Sequence, residues 1–179
     1  MSLFEQSILG FFNPAYCTVQ YDEVTQGRHL FQAPCGEKYG VVLRSVRQMP
    51  KTVEAVDAVE EQMKRVRNFL GRSNARRVFL NERSEFYLID DVGIIGAVGL
   101  LPGVSAHVHM TFWDGRLRGR EVMARMIVGH LMISHQLGGA WTGVPKKHKA
   151  VIAFARRVGF KSFFEDQENV GLLLLRRDY

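Results

Sequence analysis

Apolar positions after residue 39 alternate or recur with a regular spacing, and they divide the chain into strands and helices. The β-branched stretch Tyr39–Val46 predicts a strand that ends before Pro50. Apolar residues three or four apart then predict a helix from Thr52, whose hydroxyl can cap it, to about Leu70, with Gly71 closing it. Its expected buried stripe consists of Val53, Val56, Val59, Met63, Val66 and Leu70.

Three short apolar runs follow, each bounded by turn residues. Glu85–Ile89, Gly93–Leu100 and Ala106–Trp113 predict strands, and Asp90-Asp91 and Pro102-Gly103 predict the turns between them. Strands that are joined by such short turns pair antiparallel. The sequence therefore predicts a three-stranded meander.

The next apolar pattern has a helical period. It predicts a long helix, about Gly119–Leu137, that ends at the pair Gly138-Gly139. The strand Ala140–Val144 and the breaker Pro145 come next. The expected buried stripe of the helix consists of Val122, Met123, Met126, Ile127, His130 and Leu131.

The remaining chain predicts one helix and two strands. The helix spans Lys147–Val158 and stops at Gly159, and the strands are Phe160–Phe164 and Val170–Leu175. We expect Val151, Phe154, Ala155 and Val158 to face inward. The order after residue 39 is thus β-α-β-β-β-α-β-α-β-β.

The first 38 residues lack a clear period. Short apolar pieces at Cys17–Tyr21 and His29–Gln32 predict two short strands, which Gly27 and Pro34-Cys35-Gly36 interrupt. The expected organisation is an N-terminal extension, residues 1–38, followed by one domain, residues 39–179.

Composition and charge narrow the class of protein. Hydrophobic residues make up 46% of the 179 residues, which is enough for a packed core. The net charge of +6 lies entirely in residues 114–179, which favours an anionic partner or a solvated basic surface. Neither Cys17 nor Cys35 has metal-ligand spacing. The sequence shows no credible signal peptide and no apolar run of membrane-spanning length, so we expect a cytoplasmic protein that does not bind membranes.

Trp113–Glu121 carries the most chemical information, because it joins an apolar strand to an amphipathic helix. Free backbone N–H groups at a helix start attract phosphate, and arginines strengthen that attraction. Arg116, Arg118 and Arg120 could therefore hold a pyrophosphate and a further phosphate. The alternative is a basic turn that binds nothing.

These residues resemble the phosphate loop of the Gcn5-related N-acetyltransferase (GNAT) superfamily, in which Arg/Gln-x-x-Gly-x-Gly/Ala precedes a long helix. Arg116 and Gly119 match the pattern, and Glu121 stands where the family has a small residue. Glu121 either faces the phosphates or points away, for example towards Arg125. The stretch Ala153–Phe160 is similar to the superfamily's closing pattern, a helix that ends in Gly-Phe.

The resemblance implies an α/β (α+β) fold of the acyl-CoA N-acyltransferase type, with a mixed, mostly antiparallel sheet flanked by helices. It implies acetyl-CoA as co-substrate, no metal, and a V-shaped opening between the strands at 106–113 and 140–144 for the pantetheine arm. The implied cofactor contacts are Thr111, Phe112, Trp113, Arg116, Leu117, Arg118, Gly119, Arg120, Glu121 and His148.

The resemblance also directs attention to the catalytic groups. Ala155 and His148 occupy the positions of the family's usual Tyr and Asn. His107 and His109 lie two residues apart on the predicted strand, hence on one face, and a neutral imidazole is a suitable base. We prefer His109, with His107 as second candidate. A hydrogen-bonded structural role is the alternative for both. Asp114, Tyr87 and Tyr179 are further candidates for proton transfer.

Three functions remain open from sequence. The first is an acyl-CoA-dependent N-acetyltransferase that uses a CoA thioester and an amine acceptor. The second is a non-catalytic assembly protein, because the chain is reminiscent of GNAT-like proteins of tailed phages that are associated with the head or virion; it would have protein partners and a virion location. The third, nucleic-acid binding through Arg116–Arg125, Lys146–Lys149 and Arg156-Arg157, is disfavoured because no stacking platform is evident.

Overall fold

A computed structural model describes residues 29–37, 40–63, 75–90, 92–113 and 120–178 of the chain. Eight strands form one sheet: β1 His29–Glu37, β2 Gly40–Gln48, β3 Glu85–Ile89, β4 Gly93–Leu101, β5 Ser105–Phe112, β6 Gly139–Pro145, β7 Lys161–Glu165 and β8 Asn169–Leu175. The helices are α1 Val53–Met63, α2 Ala75–Phe79, α3 Arg120–Ser134 and α4 Lys149–Val158, and a 3-10 turn spans Arg176–Asp178.

The strand order across the sheet is β1-β2-β3-β4-β5-β6-β8-β7. All neighbours pair antiparallel except β5 and β6, which are parallel and are connected through α3. The predicted meander is β3-β4-β5, and the predicted mixed, mostly antiparallel sheet flanked by helices is confirmed. The short helix α2 adds one element to the predicted order.

The N-terminal strand is longer than predicted. β1 runs through Pro34-Cys35-Gly36, so the predicted interruption there is wrong. Pro34 lies opposite Leu43 of β2, and β1 is an edge strand of the described sheet. Proline, which lacks an N–H donor, is tolerated on an edge strand because the missing donor need not serve a ladder. The predicted strand Cys17–Tyr21 lies outside the described residues.

The helix α1 begins as predicted. Thr52 caps it, because its Oγ1 accepts a hydrogen bond of 3.3 Å from the Ala55 N–H. Val56 and Val59 are buried, but Val53 is 45% exposed, so its predicted burial is wrong. Val53 stands at the first position of the helix, one turn before the residues that reach the core. The predicted continuation to Leu70 lies outside the described residues.

Two apolar clusters lie on opposite faces of the sheet. The larger packs α3 and α4 on one face, around Met123, Ile127, Leu131, Ile152 and Val158. The smaller packs α1 and α2 on the other face, where Val56, Val59 and Phe79 meet Phe86 and Ile94 of β3 and β4. The helices α1 and α2 therefore cover the middle of the sheet.

The long helix α3 stops three residues earlier than predicted. Gln136 adopts a left-handed conformation (φ 52°), and the Leu137 N–H donates to the Met132 carbonyl at 2.8 Å. This bond across the last turn ends the helix, so the predicted stop at Gly138-Gly139 is wrong. Met123, Ile127 and Leu131 are buried as predicted, whereas the other stripe positions, Val122, Met126 and His130, are half-buried.

The helix α4 ends as predicted but presents a different face. Gly159 is left-handed (φ 119°), and its N–H donates to the Ala155 and Arg156 carbonyls. Val151 is 50% exposed, so its predicted burial is wrong, and its neighbour Ile152 is buried instead. Within the described part of the chain, no helix is long and apolar enough to cross a membrane.

Candidate functional site

The two central parallel strands separate partway along their length. β5 and β6 pair only at Ser105 with Gly139, Ala106 with Ala140, and His107 with Trp141. β5 nevertheless continues to Phe112 and β6 to Pro145, so the two strands splay after the third pair. This opening lies between the strands where the resemblance implies one. It exposes the edge of the β5 backbone beyond His107.

Aromatic and basic side chains lie at the open end of the V. The rings of Phe112, at the end of β5, and Phe154, on α4, meet edge to face with centroids 5.8 Å apart. The guanidinium carbon of Arg120 lies 5.9 Å from the Phe112 ring centroid. Arg120 is the first described residue of α3, and the first turn of a helix carries N–H groups without intrahelical partners. An apolar wall thus stands beside a positive helix start.

Residues 114–119, which the resemblance assigns to a phosphate loop, lie outside the described residues. Five candidate residues therefore lie outside the described ranges: Asp114, Arg116, Leu117, Arg118 and Gly119.

Glu121 points to α4. Its Oε1 accepts a hydrogen bond of 2.9 Å from Arg157 Nε. Although burial tends to raise it, a backbone hydrogen bond and Arg157 hold the pKa of Glu121 below its ordinary value. The carboxylate is thus engaged by α4, and its partner is Arg157 rather than Arg125.

The predicted contacts Thr111, Phe112 and Trp113 divide between the two faces of the sheet. Phe112 packs against the cluster of α3 and α4, whereas Trp113 packs against the cluster of α1 and α2. Thr111 is buried and lies opposite Ile94, a member of that second cluster. Only Phe112 of the three lies on the face that carries α3 and α4, because side chains alternate along a strand.

The family positions on α4 are also located. Ala155 is buried among the apolar residues of α3 and α4 and offers no proton. His148 immediately precedes α4; its carbonyl accepts from the Val151 and Ile152 N–H groups, and its side chain makes no capping bond. His148 is half-buried next to Pro145, at the open end of β6.

The two strand histidines lie together, as their spacing predicts. The His107 and His109 ring centroids are 4.2 Å apart. His107 also stacks on Trp141 of β6, with centroids 4.1 Å apart and an angle of 6° between the ring planes. His107 Nε2 is buried without a hydrogen-bond partner among the described residues. The imidazole pair thus lies where β5 and β6 stop pairing.

Burial keeps both imidazoles uncharged. It lowers the pKa of His107, and for His109 burial, followed by the proximity of His107, lowers the pKa from 6.5 to about 4. Removing a charged imidazolium from water is costly, and two adjacent cations repel. Both side chains are therefore neutral near pH 7 and have a lone pair that can accept a proton.

Trp141 was not anticipated from sequence. It is 39% exposed, although it stacks on His107. The signal was a single large ring in a strand otherwise built of small residues, Gly139–Pro145. Its contact with His107 depends on the parallel register of β5 and β6, which local sequence does not specify.

His130 and His135 belong to a separate cluster. His135 Nε2 lies 3.0 Å from Glu85 Oε2, and the Tyr87 hydroxyl donates to the other Glu85 oxygen. The His130 ring meets Tyr87 edge to face. This satisfied cluster joins α3 to β3, so Tyr87 is a structural residue. Tyr179 lies outside the described residues. No group of three His, Cys, Asp or Glu side chains suits a metal ion in the described ranges.

Solved structures share this architecture at low sequence identity. The N-acetyltransferase PseH of Campylobacter jejuni, in complex with acetyl coenzyme A, has a TM-score of 0.55 and 13% identity over 73% of this chain and 99% of its own. A dodecameric spermidine N-acetyltransferase of Vibrio cholerae has a TM-score of 0.57 and 9% identity over 76% of this chain and 95% of its own. The aminoglycoside acetyltransferase AAC(6')-Ib, in complex with coenzyme A, has a TM-score of 0.59 and 14% identity over 74% of this chain and 95% of its own.

The chain has the GNAT acyltransferase fold. No protein-family model matches the sequence, and no curated protein does so either. The assignment of this fold therefore depends on the strand order and the splayed β5–β6 pair rather than on sequence identity. The same fold has α3 and α4 on one face of the sheet and α1 and α2 on the other.

Proposed function

We propose that the chain is an N-acetyltransferase that transfers an acetyl group from acetyl-CoA to an amine. The observation that carries this proposal is the neutral imidazole pair, His107 and His109, at the point where β5 and β6 separate. A nucleophilic amine needs a proton acceptor there, and the splayed strands offer a channel for a narrow thioester arm. The solved neighbours, all acetyltransferases by name, support this choice.

The CoA side of the site is assigned to residues around the open end of the V. Phe112 and Phe154 provide an apolar wall for the pantetheine arm. Arg120 and the α3 start attract the pyrophosphate, together with the loop residues Arg116, Arg118 and Gly119 assigned from sequence. The Glu121 carboxylate is hydrogen-bonded to Arg157, so it offsets Arg120 only through its field and not through a direct ion pair. We assign Leu117 and His148 to the surroundings of this arm, and Thr111 and Trp113 to the opposite face of the sheet, behind the opening.

The proposed chemistry is a direct attack. The amine nitrogen attacks the thioester carbonyl carbon, the C–N bond forms, the C–S bond breaks, and CoA leaves as the thiolate. Backbone N–H groups of the unpaired part of β5 polarise the carbonyl.

His109 takes the proton that the amine loses. The addition product carries an acidic ammonium, so an imidazole with a pKa of about 4 can serve as acceptor. The resulting imidazolium is far more acidic than a thiol, whose usual pKa is about 8.5, and it can pass the proton to the thiolate. This relay removes the need for the tyrosine that Ala155 replaces.

Calorimetric titration with CoA and acetyl-CoA tests the cofactor assignment. We expect Arg120→Ala to weaken CoA binding by about tenfold, because it removes a cation at the helix start. Arg156→Ala is the matched control: Arg156 is exposed, bonds Ser162 and lies in the same basic half of the chain. Equal losses in both variants, or no CoA binding by the unmodified protein, would contradict the assignment.

A second measurement separates binding from chemistry. We expect His109→Gln to bind acetyl-CoA normally but to lower kcat by roughly 100-fold on any amine that the enzyme acetylates. Unchanged turnover would remove His109 from the mechanism. The alternative of a phage head or virion assembly protein finds no support among the solved neighbours described above.

A further inference from the structure

A second cleft opens beside the imidazole pair, between the loop after α2 and the end of β4. Its volume is about 390 Å³. The residues that line it are Arg77, Val78, Asn81, Arg83, Ser84, Val98 and Gly99. They include two cations and no carboxylate, so the polar groups of the cleft suit an anion.

Its arginines have no carboxylate partner within the described ranges. Arg77 and Arg83 are exposed, and no ion pair involves either of them there. The adjacent Arg76 differs, because it forms an ion pair with Asp57 at 2.7 Å. A guanidinium offers only donors, in a planar fork that matches a carboxylate or phosphate. Arg77 and Arg83 thus remain available to an incoming anion.

The buried hydroxyl of Ser84 is a second, independent observation that points to a bound ligand in the cleft. The residue is 1% exposed, and its Oγ has no hydrogen-bond partner among the described residues. Buried hydroxyls in native proteins nearly always have one. Because Ser84 lines the cleft, a bound anion can accept its hydrogen bond.

The loop that carries Arg83 and Ser84 is fixed by hydrogen bonds, and Arg77 lies on the helix α2 that precedes it. The Arg83 N–H donates to Asn81 Oδ1 at 2.8 Å, and the Arg83 carbonyl accepts from the Leu100 N–H at 2.8 Å. The Ser84 N–H donates to the Asn81 carbonyl. These bonds tie the loop to β4, so the cleft does not need to be organised by its ligand.

The strand register places the cleft next to the proposed reaction centre. Val98, which lines the cleft, lies directly opposite His107 on β5, and His107 lies opposite Trp141 on β6. Neighbouring strands are about 4.8 Å apart. Val98, His107 and Trp141 therefore form one row across the sheet. Its two ends are about 10 Å apart.

We propose that this cleft binds an anionic group of the acceptor, and that the acceptor is an amine that also carries a carboxylate or a phosphate. The acceptor assignment rests on the proposed acetyltransferase function, whereas the anion site does not. An anion held by Arg77, Arg83 and Ser84 leaves the rest of a small molecule lying over Val98 towards His107. The amine then lies beside the imidazoles, about one strand spacing beyond Val98.

Anion binding is tested without any reaction. Inorganic phosphate is titrated into the CoA-saturated protein while the amide signals of Ser84 and Gly99 are followed by NMR. We expect saturable shifts at these two amides, weakened by about tenfold or more in Arg77→Ala/Arg83→Ala. Arg76→Ala is the control, because it removes a neighbouring charge outside the cleft. Shifts absent from Ser84 and Gly99, or equal weakening in the control, would overturn the site.

Matched acceptors test the substrate class. An amino sugar is compared with its phosphate ester, an amino acid with its carboxamide, and spermidine serves as a polycation. We expect the anionic member of at least one pair to have a KM lower by about tenfold, and the double variant to lose that preference with little change in kcat. The two pairs separate phosphate from carboxylate recognition.

The two proposals can fail separately. Phosphate shifts at Ser84 without acetylation of any amine would leave the anion site intact and reject the acetyltransferase function. Acetylation with no preference for either anionic member would retain the transferase and reject the acceptor class. Preference that survives in the double variant would place anion recognition elsewhere and overturn the role of the cleft.

Discussion

The two strand histidines illustrate how one buried position sets the chemistry of its neighbour. His107 lies between Trp141 and His109, with ring centroids 4.1 Å and 4.2 Å away. Protonating either imidazole would place a cation in a poorly hydrated environment, and protonating both would add repulsion. The folded protein therefore resists protonation of this pair, whereas the unfolded chain does not.

This difference predicts a loss of stability in mild acid. The His109 pKa is about 4 when folded and 6.5 in the reference state. Between these values the unfolded state binds more protons, so the free energy of unfolding falls as pH falls from 6.5 towards 4. At about pH 4.5 one such group costs about 2.5 kcal/mol. Urea unfolding of the unmodified protein and of His109→Gln, across this range, measures it.

The comparison of the two proteins depends on how steeply the free energy of unfolding changes with pH, not on its absolute value. The glutamine variant loses packing at every pH, but it lacks the titrating group, so its unfolding free energy should fall less steeply below pH 6.5. Parallel curves for the two proteins would show that His109 is not held neutral by burial.

At the scale of elements, the side chain of Arg125 on α3 caps the C-terminal end of α4 and so joins the two helices. Arg125 of α3 donates from Nε to the Val158 carbonyl and from Nη2 to the Arg157 carbonyl, both at 3.1 Å. Carbonyls in the last turn of a helix lack intrahelical donors, and the end of the helix dipole is negative there. One guanidinium thus satisfies two acceptors and neutralises the terminus of α4.

We expect Arg125→Met to destabilise the fold by about 1–3 kcal/mol, because the partly buried Val158 carbonyl and the exposed Arg157 carbonyl both lose a charged donor. Arg157→Met is the matched control. It removes a mostly exposed ion pair with Glu121, and such pairs contribute about 0–1 kcal/mol. Chemical denaturation of both variants provides the measurement. A control as destabilised as Arg125→Met would contradict the capping role.

Elements with a strong local period were predictable from sequence. β3 is found at Glu85–Ile89 as predicted, and Gly159 ends α4 because only a left-handed residue closes that turn easily. The wrong or missing predictions concern features that depend on one residue or on a very short element. Spacing alone predicts an inward Val151, but it is Ile152 that packs into the core, and this contact sets the rotation of α4. The five-residue α2 is too short to show a period.

The candidate site was predictable only along single elements. The common face of His107 and His109 follows from the two-residue period of a strand. Trp141 reaches His107 through the β5–β6 register, and Arg77 of α2 reaches the cleft because α2 packs beside the end of β4. Both contacts join segments distant in sequence, and their geometry comes from tertiary packing rather than from local pattern.

For the whole molecule, the charge is distributed unevenly along the chain. The full net charge of +6 lies in residues 114–179. Several acids of that half are already paired within it: Glu165 with Lys146 at 2.7 Å, and Asp178 with Lys161 at 2.8 Å. The exposed Lys147 and Lys149 follow the open end of β6. The surface beside the V is therefore positive, and it should attract a polyphosphate from a distance.

This field predicts a salt-dependent association rate for CoA. Stopped-flow binding at about 50 and about 300 mM salt should show a fall in kon of several-fold, because the screening length shortens from over 10 Å to about 6 Å. Lys147→Gln/Lys149→Gln should lower kon at low salt and flatten the salt dependence, with little effect on koff. Lys51→Gln/Arg76→Gln removes the same charge from the neutral half and should leave both unchanged. If the two double variants slow association equally, net charge rather than its placement beside the V governs the encounter.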